Sequence, residues 1–132
     1  MDLANTSPDN LINIVTFNVM ATQTVDGGVL PWINIGRANE EILNLIDADE
    51  LVISEHEITI SVDYPLSKPT AFNLFSSIGF SRKLLLVEIR EQFLAFANAD
   101  GENFDIAALD LVALDVYKNS SGKIEVVLDI DA

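Results

Sequence analysis

Cysteine is absent, histidine occurs once, at His56, and bases are scarce, with 7 Lys plus Arg against 21 Asp plus Glu. The lack of cysteine excludes disulfides, thiol nucleophiles, iron–sulfur clusters and thiolate zinc sites, and it suits a reducing compartment. A single imidazole excludes multi-histidine metal sites within one chain and routes any Ser-His-Asp chemistry through His56. Few Lys and Arg argue against nucleic acid as a partner, because phosphate backbones are held by clustered cations. Stacking aromatics interleaved with bases are missing too. No apolar run approaches the ~20 residues of a membrane span. The start, Met1-Asp2-Leu3-Ala4-Asn5-Thr6, has neither the basic nor the apolar region of a secretory signal. The expectation is a cytoplasmic protein with no nucleic-acid or membrane partner.

What is present is a chain of 132 residues, 49% hydrophobic, with a formal net charge of −14. Its Ile, Leu, Val and Phe content is too high for a disordered polyanion, and its length suits one domain with its own core. Residues 1–6 read as a flexible tail and 7–132 as a single α+β domain.

Ser7-Pro8-Asp9 has the form of a helix start, with a hydroxyl cap, Pro at the first position and an acid at the positive dipole end. The residues after it, Leu11 to Val19, are rich in β-branched types that favour a strand. The two signals conflict; the cap favours a helix from Pro8 to Ala21. A second helix is expected from a cap at Asn39, with Glu40 and Glu41 in its first turn and Ile42, Leu43, Leu45 and Ile46 as its apolar face. Alternation of Ile58, Ile60 and Val62 with Glu57, Thr59, Ser61 and Asp63 predicts a half-buried strand. Thr70 to Ser76 returns after the Tyr64–Pro69 loop to complete a hairpin.

Ser81 is placed to cap a helix over Arg82 to Asn98, in which Leu85, Ile89, Phe93 and Phe96 share one face. Asp100-Gly101 is expected to close it. Leu111–Tyr117 and Lys123–Asp131 flank Lys118-Asn119-Ser120-Ser121-Gly122 as a second hairpin. The fold class expected is therefore α+β. An antiparallel four-stranded sheet, made of two hairpins, packs on a central helix, with one or two N-terminal helices.

Charge is uneven along the chain. Residues 1–63 carry one base and eleven acids, 64–90 four bases and one acid, and 91–132 two bases and nine acids. The middle stretch is thus about +3 inside an acidic chain. Its bases gather at the start of the central helix, where unpaired N–H groups favour anions. Ser81, Arg82 and Lys83, with Lys68 reaching in from the hairpin loop, form a candidate phosphate or carboxylate site; the plainer alternative is solvated or ion-paired surface charge. No phosphate-binding glycine loop or dinucleotide fingerprint accompanies it.

On the same helix Leu84, Val87 and Leu94 fall on the side away from Leu85, Ile89 and Phe93. A second apolar stripe must be covered, either by the N-terminal helices within the chain or by a partner or second copy. Glu55-His56-Glu57 sets the imidazole between two acids, but strand neighbours point to opposite faces, so a structural histidine is the simpler reading. Asn98–Asn103 clusters oxygen ligands around Gly101, yet the calcium-loop spacing fails, with Phe96 at position one and Ala107 at twelve. No nucleophile elbow, kinase signature or metalloprotease motif is present, and no motif implies a cofactor, a metal or a catalytic residue.

Acidic charge, an extra apolar stripe and the lack of catalytic motifs lead to one expectation. It is a small acidic interaction module without catalysis, binding a protein partner, basic by charge complementarity, or itself. An acidic antagonist of a basic protein is the sharper form. The alternative is a small anion- or ligand-binding protein or enzyme using the basic helix start.

Overall fold

A computed structural model describes residues 11–20, 28–99, 102 and 104–131. The expected flexible tail, the Ser7-Pro8-Asp9 cap and the Asp100-Gly101 stop lie outside those residues.

Within the segment expected as an N-terminal helix, residues 11–20 are extended instead. Strand β1 spans Leu11–Thr16 and β2 spans Val19–Met20. Val15, Phe17 and Val19 are buried, alternating with Thr16 and Met20 on the exposed side, which is the period of a strand. β-Branched side chains that crowd a helix fit this pleated surface, so propensity prevails over the cap signal. Two short strands follow, β3 (Val29–Leu30) paired with β2 and β4 (Ile33–Asn34).

The second expected helix is reduced to α1, Ala38–Glu41, and a 3-10 turn over Ile42–Asn44. Arg37 stands at its N-cap position without a side-chain cap, so Asn39 does not serve there. The helix stops because the chain is taken up by pairing: Leu45 bridges Val19, and the Ile46 N–H donates to the Asn18 carbonyl at 2.9 Å. Asp47, with φ of 55°, then turns the chain into β5, Leu51–Ile53.

Both expected hairpins form. β6 (Glu57–Val62) pairs antiparallel with β7 (Thr70–Phe75), and β9 (Asp110–Lys118) pairs antiparallel with β10 (Ile124–Asp131). Their assembly corrects the expected four-stranded antiparallel sheet. The sheet has six strands in the order β1-β9-β10-β6-β7, with β4 also on β9, and β10 runs parallel to β6. The parallel join aligns Ile124 with Ile58 and Val126 with Ile60, so four buried side chains of two hairpins share one face. β1 adds to the other side of β9, which is the place its apolar alternation requires.

β8 (Phe80–Ser81) pairs with β5 and leads into α2, Arg82–Ala97. Leu85, Leu86, Ile89 and Phe93 of α2 are buried in the same core as Val116, Val126, Ile60 and Leu74 from the sheet. Phe96 stands edge-on to Phe93 at 5.8 Å and to Phe72 at 6.1 Å, tying the last turns of α2 to β7. The helix therefore covers one face of the sheet. Two glycines make close approaches possible: at Gly36 a Cβ would stand 2.6 Å from the Ala107 Cα, and Gly79 holds φ of +87° beside the Ile53 carbonyl. No helix among the described residues is long and apolar enough to cross a membrane.

Candidate interaction surfaces

The start of α2 is built as expected but is already occupied. The Ser81 hydroxyl accepts from the Leu84 N–H at 3.1 Å. The Arg82 N–H donates to the Glu50 carbonyl at 3.3 Å and the Lys83 N–H to the Ala48 carbonyl at 2.8 Å. The first three amides of the helix, the groups that would receive an anion, thus have internal acceptors. The Arg82 side chain pairs with the Glu50 carboxylate, and its Nε donates to the Thr16 carbonyl at 2.7 Å.

Lys83 is exposed beside an open depression of about 510 Å³, where Asp47, Asp49 and Glu50 also stand. Those carboxylates repel an anion. Lys68 lies at the other end of the molecule. Strand β7 separates its loop from β8 and α2, a rise of roughly 20 Å for six residues. Neighbouring Ser67 donates from its N–H and its hydroxyl to Glu102, beyond the C-terminal end of α2, at 3.1 and 2.8 Å. The structure brings Ser81, Arg82 and Lys83 together and leaves Lys68 apart.

Leu84, Val87 and Leu94 do not form one exposed stripe. Leu84 is half-buried against the core, and Leu94 is half-buried as well. Val87 is 41% exposed and borders a recess of about 100 Å³ between α1 and α2, with Ala38, Ile42 and Leu86. Ala38, Asn39 and Ile42 stand across this recess from Val87.

His56 is exposed, and its carbonyl accepts from the Ser76 N–H at 2.8 Å. Glu55 turns to Lys118 at 3.8 Å, while Glu57 stands opposite Phe75 in the hairpin. Among the described residues no group of three or more His, Asp or Glu side chains is arranged to hold a metal ion.

The sheet face away from α2 also carries exposed apolar side chains. Adjacent strands place Ile14, Asp115, Val127, Ser61 and Ala71 in one row across it. Ile14 is 51% and Val127 42% exposed, with the half-buried Asp115 between them. Beside this row lie Glu125 next to Tyr117 and Asp129 next to Ala113. At the far corner Phe75 is 75% exposed, and Ile78, three residues on in the chain, is 73% exposed. Among the described residues no element covers this face. Carboxylates and aliphatic side chains therefore alternate on a surface open to solvent.

Sequence reasoning overlooked this face, although two signals mark it. Val127 is the one apolar residue in the outward row Lys123, Glu125, Val127, Asp129 and Asp131. Phe75 directly follows inward-facing Leu74, so it must point outward. Comparison of the chain with models of known protein families, with curated proteins and with solved structures finds no match.

Proposed function

We propose that the protein is a small acidic interaction module whose uncovered sheet face receives a protein partner with basic and apolar side chains. The observation that carries this reading is the row Ile14–Asp115–Val127, in which two exposed aliphatic side chains flank a carboxylate on a face that no element among the described residues covers. Apolar contact area contributes the affinity of such an interface, while Asp115, Glu125 and Asp129 supply a field that speeds encounter with a cationic surface. A rigid six-stranded scaffold presents these groups with little ordering cost on binding. The anion-binding alternative is less favoured, because the amides at the start of α2 already have acceptors and Lys83 sits among acids.

The test is differential capture from a native lysate by the full chain and by the Ile14→Arg/Val127→Arg variant. Both positions are exposed, so the variant keeps its fold while opposing a basic surface. The expected result is a protein retained by the wild type and lost by the variant, with retention falling as salt rises. Identical captured sets would remove the reading.

A further inference from the structure

We infer that β7 is a self-pairing edge, through which two copies join their sheets antiparallel about Asn73. This deepens the self-association side of the interaction-module reading and uses the edge of the sheet. There Ala71 and Phe75 border the partner-binding face, but Ile14 and Val127 stand two or more strands away. β7 is the terminal strand of the sheet. The Ser76 N–H bonds the His56 carbonyl, and the register then makes Leu74, Phe72 and Thr70 the residues that bond to β6. The N–H and C=O groups of Ala71, Asn73 and Phe75 consequently point away from the sheet. They form a template for another strand.

The two outer edges differ in how they are protected. In β1 the register shifts between Leu11 and Asn13, and the Ile14 N–H is taken by the Asn13 side chain at 2.9 Å. A bulge and a capped donor both discourage pairing. β7 has an unbroken register over Thr70–Phe75 and carries neither Pro nor a charged residue. The uncharged stretch runs from Pro69 to Ser81 in a chain of net charge −14. A second copy meets less like-charge repulsion here than against the acidic strands β9 and β10.

The sequence Thr70-Ala71-Phe72-Asn73-Leu74-Phe75 also complements itself. A two-fold axis at Asn73 sets Phe75 of one copy opposite Ala71 of the other, a large side chain beside a small one, on both sides of the axis. Ala71, Asn73 and Phe75 exchange backbone bonds with Phe75, Asn73 and Ala71 of the second copy. A strand-to-strand contact of this length falls below the ~1,200 Å² of standard interfaces, so the association is weak and concentration-dependent.

Sedimentation equilibrium of the full chain from about 1 µM to about 1 mM reads this directly. The average mass is expected to climb from 14.5 kDa toward twice that value. Phe75→Glu, Ala71→Lys and Ala71→Pro should each weaken association by about tenfold or more; the proline removes only an outward donor and spares the β6 ladder. In the double variant Ala71→Lys/Phe75→Glu the introduced ammonium faces the introduced carboxylate across the axis, and association returns. A wild type that stays monomeric, association unchanged in the single variants, or a double variant no better than the singles would each overturn the proposal. The Ile14→Arg/Val127→Arg variant should dimerise normally, so failure at the edge and failure at the face are read separately.

Discussion

Arg82 joins three parts of the chain that are distant in sequence. Its guanidinium pairs with Glu50, donates to the Thr16 carbonyl at 2.7 Å and reaches the Asp47 carbonyl at 3.3 Å. Its side chain is only 15% exposed, so these bonds form with limited competition from water. Arg82→Ala is expected to lower unfolding stability by about 1–3 kcal/mol in urea titrations, since it leaves carbonyls unpaired and removes a charged bond. Arg82→Lys should recover only part of that, because an ammonium cannot reproduce the fork. Lys83→Ala next to it, exposed and with no side-chain bond among the described residues, should stay within about 0.5 kcal/mol. Gly79 is constrained by shape. A Cβ there would stand 2.7 Å from the Ile53 carbonyl at φ of +87°, so Gly79→Ala should cost about 1–3 kcal/mol and loosen the β5–β8 pairing. Hydrogen exchange at Phe80 and Ser81 would show that loosening.

Elements with a complete local pattern were legible in the sequence. The helix Arg82–Ala97 carries its own cap in Ser81 and its own buried stripe in Leu85, Ile89 and Phe93, and both hairpins show alternation on two strands. Phe93→Ala should therefore cost about 3–5 kcal/mol, as for an aromatic removed from a packed core, while Val87→Ala on the exposed side should be close to neutral. What the sequence did not disclose depends on distant partners. The parallel union of β10 with β6 is set by Ile124 and Val126 meeting Ile58 and Ile60 across more than sixty residues of chain. In β1 the β-branched run from Leu11 agrees with pairing to β9, a partner that the local sequence, with its competing Ser-Pro-Asp cap, does not reveal. α1 is short because Leu45 is drawn into a bridge with Val19. The interaction face follows from the same long-range choices. Ile14, Asp115 and Val127 belong to three strands and become a row only when the sheet assembles.

At the scale of the whole molecule, the net charge of −14 resolves into regions with opposite salt responses. Three of the seven bases, Arg37, Arg82 and Lys118, pair with Glu40, Glu50 and Glu55, and with 21 acids against 7 bases the excess negative charge is self-repelling. Screening that repulsion stabilises the compact state, and the melting temperature should rise as NaCl is raised from about 20 mM to about 500 mM. Two copies meeting along the uncharged β7 carry the same excess of negative charge, so their association should strengthen over that range. A basic partner on the Ile14–Asp115–Val127 face should respond in the opposite sense, losing both rate and affinity as its attraction is screened. Calorimetric titrations and sedimentation runs at matched salt would separate the two. Dimerisation that weakens with salt would mean that the copies meet through opposite charges rather than through β7, and partner binding that strengthens with salt would mean that the carboxylates of the open face do not attract the partner.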